Sequence, residues 1–510
     1  MASIVTFSDN LRSIGYMKPV VTRFSPSNTG FLHIGGLRTA LYNYIFAKKH
    51  NGKFLLRIED SDIKRSVSGS TEYIKNALTW LGLNWDDEVL VQSERLDIYK
   101  EYALKLIANG NAYYAFDDKD ELAALRGTDP QKPIAYGAYT RDRMKNSLTL
   151  SPEAVDELLA NGTPYVIRFK VEKNREIVFN DAIRERVSFN TNNVDDKVLL
   201  KSDGFPTYFL ANTIDDALCN VTHVIKGNEW LSSAPIIILL YEALGFPLPE
   251  FCHLPLVLDE DKKKISKRNH KKYSYPIFPL TGSYVDDKGA DFSVIGLKEA
   301  GYLPEAVINA MALVGWTPKG TNDVLSMDEI IAEFDLNNLH KSDAIFGAGK
   351  LKFLNKEYLK KKEFDYLISF IDKGNIYVYD DARLKEIVAI SLERSNFNYE
   401  LNDAVRYFFE DVEYTNTKSK NVDEFNKFYY QFVSTSGKFG SKEVIEFDLK
   451  SACSWSGVEK GKILPGLRNA LCGGASGADL ITTMWILGEE VTYRRIVQYH
   501  TYLKIQNVTA

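Results

Sequence analysis

Val20-Val21-Thr22-Arg23-Phe24-Ser25-Pro26-Ser27-Asn28-Thr29-Gly30-Phe31-Leu32-His33-Ile34-Gly35-Gly36 is the stretch on which the fold turns. Its β-branched start predicts a strand, Ser25 to Gly30 has to turn, and Leu37 to Ala47 carries apolar residues at helical spacing. Lys53 to Ile58 reads as a second strand ending in Glu59-Asp60-Ser61-Asp62, which completes a βαβ unit. Glycines at a strand-to-helix junction bring phosphate within reach of helix amides, and such sheets bind ligands beyond the carboxyl ends of their strands. His33 and Glu59 both fall there.

A second segment answers the first. Residues 261–272 hold seven Lys or Arg in twelve positions, with Lys264-Ile265-Ser266-Lys267-Arg268 at the centre. A basic run is most often a solvated face. A glycine-rich turn and a doubly cationic loop can instead grip a triphosphate from two sides. That pairing points to an enzyme that activates a substrate with ATP.

Composition narrows the setting. The 510 residues suffice for three or four domains, and 45% hydrophobic with 26% charged residues is ordinary for a globular protein. Ile236 to Leu240 is too short to span a bilayer and reads as a buried element. Cys219, Cys252, Cys453 and Cys472 show no metal or disulfide spacing, so no zinc and a reducing cytoplasm are expected. The net charge of −5 would disfavour a nucleic-acid partner if it were evenly spread. It is not, since Arg141/Arg143/Lys145 and Arg184/Arg186 add smaller basic clusters.

Residues 1–18 lack a basic end followed by an apolar run and read as a short extension. A helix is expected after Gly69, with Ile74, Ala77, Leu78 and Leu81 on one face. From about 100 to 205 the elements shorten, which suggests an insertion. Strand-like signals return at Tyr208 to Leu210, Val221 to Ile225 and Leu254 to Leu258, and Tyr273 to Leu280 reads as a packed arm. Beyond about 340 the pattern is helical, as in Leu384 to Arg394 and Val491 to Leu503.

His33-Ile34-Gly35-Gly36 resembles the HIGH signature of class I aminoacyl-tRNA synthetases, and Lys264 to Arg268 resembles their KMSKS loop. Val21 to Gly30, Leu56 to Asp62, Gln92-Ser93-Glu94-Arg95 and Phe205 to Asn212 are similar to glutamyl-tRNA synthetases of the bacterial type. The likeness continues through Gly301 to Ala306 to Gly461-Lys462, Leu467-Arg468 and Ala475-Ser476-Gly477, so it covers nearly everything after residue 18.

The resemblance implies an α/β protein with a Rossmann-like catalytic domain at 19–99 and 206–262, split by an α+β insertion at 100–205 that binds the acceptor end. It further implies a stem-contact domain at 263–340 and an all-helical anticodon-binding region at 341–510. His33, Lys264 and Lys267 would be catalytic, joined around ATP by Gly35, Gly36, Gly227, Glu229 and Ile265. Glutamate would meet Arg23, Ser25, Glu59, Tyr208, Asn212 and Lys226. ATP with Mg2+, glutamate and tRNA(Glu) are the implied partners of a monomer that holds no metal by itself. The chain departs from the family pattern at Lys226, where arginine is usual, at Asn28, where proline is usual, and at Asn228, where an acid is usual. Lysine loses the planar fork that binds a carboxylate bidentately.

Two other classes stay on the table. One is a relative with another substrate: a glutaminyl-tRNA synthetase, an enzyme that also charges tRNA(Gln), or the truncated paralogue that modifies a tRNA base. The other is a non-catalytic RNA-binding paralogue, which would have no use for His33, Glu59, Lys264 and Lys267 in one cleft. The roughly 240 residues beyond the lysine loop argue against the truncated form.

Overall fold

Strand β1 (Val21–Phe24) runs parallel to β2 (Lys53–Ile58), pairing Val21 with Lys53 through Phe24 with Leu56. Between them lies α1 (Ile34–Lys49), the predicted βαβ crossover. The computed structural model describes residues 19–62, 65–127, 134–285, 289–374, 376–414, 421–435, 439–474 and 478–509. The extension at 1–18 and Ala475-Ser476-Gly477 lie outside the described residues. The chain divides into two compact units, one through Leu351 and one from Lys352.

After β2 the first unit continues with α2 (Ser70–Trp80), β3 (Leu90–Val91), α3 (Leu96–Ala108), β4 (Ala112–Ala115), α4 (Lys119–Arg126) and α5 (Pro152–Ala160). Then come β5 (Val166–Phe169), β6 (Glu176–Asp181), β7 (Glu185–Asn190), β8 (Val198–Leu200), α6 (Tyr208–Leu218), β9 (His223–Gly227), α7 (Ala234–Leu244) and β10 (Glu250–Leu254). One sheet has the order β1-β2-β3 and another β7-β6-β10-β9. They meet where the Thr222 N–H donates to the Val21 carbonyl and the Val21 N–H donates to Thr222 Oγ1. The parallel order is therefore β3-β2-β1-β9-β10-β6, and its direction of progression reverses between β1 and β9. That is the switch point at which open α/β sheets bind ligands.

Helix α1 is held on several sides. Leu37, Ala40, Leu41 and Ile45 are buried, and Asn43 donates to the Ile225 carbonyl of β9 at 3.0 Å. Tyr42 donates to the Val314 carbonyl at 2.7 Å, behind the helix Pro304–Ala312. Ile236 to Leu240 lies inside α7, buried in the apolar layer with Ile214 and Leu210. The predicted arm packs as expected, since Tyr275, Ile277 and Phe278 are buried and the Ile277 carbonyl accepts from the Ile34 N–H at 2.9 Å.

The strand expected at Tyr208 to Leu210 is instead the first turn of α6. Leu210, Ala211 and Ile214 are buried at helical spacing, a period that three residues are too few to reveal. Within 100–205, β4, β5 and β8 form a small antiparallel sheet, while β6 and β7 join β10 and β9. The second unit is helical among the described residues, including Asp381–Arg394, Val422–Thr435, Lys442–Ser456 and Lys460–Cys472.

The close pass between α1 and β2 leaves no room for a side chain at Gly52. A Cβ there would lie 2.0 Å from the Val20 carbonyl oxygen, which also accepts from the Lys53 N–H. Gly52→Ala is expected to cost about 1–3 kcal/mol by forcing backbone apart at the start of the parallel pair. Urea denaturation followed by circular dichroism measures it, and an unchanged midpoint would contradict the contact.

Candidate active site

A cavity of about 570 Å³ opens at the carboxyl ends of the strands. Its wall follows the sheet: Arg23 to Ser27 from the end of β1, Glu59 after β2, Gln92 after β3, Lys226 and Gly227 at the end of β9, and Pro255 to Val257 after β10. His33, Gly35, Gly36, Lys264, Ile265 and Lys267 close it from above the α1 terminus. Of the residues singled out from sequence, only Asn212 is not on this wall.

His33 is the N-cap of α1, and its Nδ1 accepts the Gly35 N–H at 3.0 Å. An acceptor Nδ1 requires the proton of the neutral ring to sit on Nε2. Desolvation, aided by the cations of Lys267 and Lys264, pushes the His33 pKa down to about 3. The ring therefore stays neutral at physiological pH, with one donor aimed away from the helix. Gly35 makes this possible, since a Cβ there would lie 2.8 Å from His33 Cε1.

The lysine loop is anchored by backbone. Leu258 bridges Lys264, the Ile265 N–H donates to the Val257 carbonyl at 3.1 Å, and the Ile265 side chain is buried. Lys267 reaches over the turn at Gly30, whose φ of 132° and lack of a side chain let the ammonium come close. Burial lowers the Lys267 pKa to about 8. Lys264 pairs with Glu229 at 3.3 Å, a half-exposed contact worth about 0–1 kcal/mol. Glu229 also folds over Gly227, where a Cβ would collide with its carboxylate.

The floor is a knot of buried charge. Arg23 grips Asp216 with Nε at 3.0 Å and Nη2 at 3.2 Å. Arg57 donates to the same carboxylate, to Asn212 Oδ1 and, at 3.4 Å, to Glu59. Asp215, fully buried, accepts from Gln92 at 2.9 Å, Tyr99 at 2.8 Å and Arg95 at 3.1 Å. Burial favours protonation of Asp216, yet Arg23 and Arg57 outweigh it and hold the pKa below the ordinary carboxylate value. At Glu59 burial wins over Arg57 and Arg23, and its pKa is raised. Lys226, 8% exposed, donates to the Tyr208 hydroxyl at 3.2 Å.

This geometry has counterparts. The family description "tRNA synthetases class I (E and Q), catalytic domain" matches residues 19–277 and 288–353, and "Anticodon binding domain" matches 357–499. A glutamate–tRNA ligase of Flavobacterium psychrophilum is 41% identical over 94% of this chain and 98% of its own. One of Porphyromonas gingivalis is 42% identical over 93% of this chain and 97% of its own. The chain belongs to the glutamate–tRNA ligases, class I aminoacyl-tRNA synthetases. Among solved structures, a glutamate tRNA ligase of Elizabethkingia meningosepticum in complex with its amino acid superposes with a TM-score of 0.86 at 40% identity, covering 95% of this chain and 99% of that one.

Two departures from the family pattern have a local account. Asn28 Nδ2 donates to Ser66 Oγ at 2.8 Å and its carbonyl accepts from Val67, tying the turn to the loop after β2. Lys226 keeps a positive group beside Tyr208. Nothing in the structure explains Asn228, whose buried Oδ1 has no partner among the described residues.

Sequence reading missed Arg57, Asp215 and Asp216 as site residues, and it assigned Asn212 to the substrate. Its Oδ1 accepts from Arg57, and it is not on the cavity wall. The signal was Asp215-Asp216 within the apolar run of α6, because adjacent buried acids demand cations. Arg23 pairs with Asp216, and Arg57 reaches both Asp216 and Glu59. Asp216→Ala leaves two buried arginines without their shared carboxylate and is expected to cost about 3–5 kcal/mol. Equilibrium urea denaturation checks this, and a loss under 1 kcal/mol would mean that water or Glu59 compensates.

Proposed function

We propose that this chain activates L-glutamate with ATP and transfers it to the terminal ribose of tRNA(Glu), both steps taking place in the cavity at the carboxyl edge of the sheet. The observation that carries the reading is the union, in one cavity, of both motif segments with Arg23, Glu59, Tyr208 and Lys226. In the first step a glutamate carboxylate oxygen attacks the α-phosphate and pyrophosphate leaves. In the second a ribose hydroxyl attacks the acyl carbon and AMP leaves. Neither step needs a protein nucleophile; alignment and neutralisation of growing charge carry the catalysis.

In this reading the neutral His33 ring donates Nε2–H to a phosphate oxygen. Lys264 and Lys267 hold the phosphates from the loop. Adenosine lies along Gly35, Gly36, Gly227 and Ile265, with Glu229 accepting from the ribose. Lys264 and Glu229 separate when ATP enters, and their exposed pairing makes that separation inexpensive. Among the described residues no cluster of three or more His, Cys, Asp or Glu side chains is arranged to hold a metal. Mg2+ would accordingly be bound through ATP phosphate oxygens.

The amino-acid pocket matches a dicarboxylate. Arg23, Arg57 and Arg95 balance Glu59, Asp215 and Asp216, and Lys226, when protonated, adds one positive charge. L-glutamate supplies one net negative charge and glutamine supplies none, which favours glutamate over the amide. Lys226 and Arg23 would face its carboxylates, with Ser25 and Tyr208 beside them, and Glu59 would take the ammonium; Asn212 acts through Arg57. The domain division 19–99 with 206–262, 100–205, 263–340 and 341–510, a monomeric state and a cytoplasmic setting complete the proposal. No helix of the described residues is long and apolar enough to cross a membrane.

Aminoacylation of purified tRNA(Glu) and tRNA(Gln) with each amino acid is the direct test. Glutamate on tRNA(Glu) is expected, and charging with glutamine alone would overturn the reading. Lys267→Ala should slow single-turnover activation by about two to three orders of magnitude with little change in tRNA affinity. Activation within a few-fold of normal would remove the lysine loop from the mechanism.

A further inference from the structure

Lys226 is a buried amine with no ion-pair partner among the described residues. Among the described residues its ammonium has no carboxylate within ion-pair distance, and its one hydrogen bond goes to the Tyr208 hydroxyl. Every charged neighbour is either like-signed or already committed. From β1, Arg23 presents a second cation; from β2, Arg57 presents a third, and Glu59 just beyond it lies against Arg57 at 3.4 Å. From α6, Asp216 takes both arginines. From β10, His253 is paired in register with Lys226, but its Nδ1 is turned to Asp181 at 2.6 Å.

We propose that Lys226 makes substrate selection proton-linked: a substrate carboxylate entering the cavity brings a proton onto this side chain, whereas an uncharged amide does not. The inference rests on reading the cavity as a glutamate site. An arginine in this place could not lose its proton.

The sign follows from the two states. In the free site, burial above all, then Arg23, lowers the Lys226 pKa to about 7. A carboxylate against the ammonium raises it again. Below about pH 6 the side chain is protonated in both states and no proton is taken up. Above about pH 7 the free site has lost the proton and the bound site has kept it, so binding consumes one and affinity falls as pH rises. Glutamine gains nothing from the ammonium form, and discrimination between the two amino acids should narrow over the same range.

Calorimetric titration of the full chain with L-glutamate at pH 7.5, in phosphate and in Tris, reads the proton uptake from the difference in enthalpy. Roughly 0.5–1 proton per glutamate is expected, with a dissociation constant that rises roughly tenfold from pH 7.5 to 8.5. Lys226→Arg should abolish both effects while still binding glutamate. Equal enthalpies in the two buffers together with flat affinity would overturn the inference and leave the glutamate reading intact. Uptake that persists in Lys226→Arg would also overturn it, since another group would then be titrating. Absence of glutamate binding, with no charging of tRNA by glutamate, would overturn both. If Lys226→Arg fails to fold, Lys226→Gln serves the same purpose, and proton uptake that persists in it would overturn the inference.

Discussion

The carboxylate of Asp216 is the contact on which the site depends. It accepts from Arg23 at the end of β1 and from Arg57 near the end of β2, and so fixes two neighbouring strand ends to α6. Each arginine would be costly to bury alone, and the acid would be equally so. Together they form a preorganised floor whose guanidinium planes are set before any ligand arrives. Catalysis by alignment requires that order, because reorganisation during the reaction would forfeit the electrostatic gain.

The site has two halves of different stiffness, and the chemistry of each explains the difference. The floor is buried, bidentate and multiply hydrogen-bonded, the conditions under which charged pairs hold their geometry. The upper wall relies on Lys264 and Glu229, side chains 54% and 44% exposed, joined by a contact that water competes with. A small amino acid can be selected by a rigid charge pattern. A triphosphate that must enter, react and leave as pyrophosphate needs groups that can let go.

How much of this was legible in the sequence follows from the range of the interactions. The βαβ unit, the glycine junction and the lysine loop are local patterns of strand, turn and helix, and they read directly from residues 20–58 and 261–272. That Asp216 lies beside Arg23 is a contact across 193 residues, which no period or spacing encodes. Asn212 shows the same limit in reverse. Its position in a shared motif suggested contact with the substrate, yet α6 turns its carbonyl onto Arg57. Motif membership marked the residue, and only the fold shows its pairing with Arg57.

His33 shows how one backbone requirement can serve a chemical one. A helix start leaves N–H groups unsatisfied, and serine or aspartate is the usual remedy. Here imidazole Nδ1 supplies the acceptor for Gly35, and that choice decides the tautomer. The cations of Lys264 and Lys267 then reinforce what desolvation begins, so the ring remains neutral beside a site built for phosphate. A neutral ring contributes direction through Nε2–H, while the lysines contribute charge.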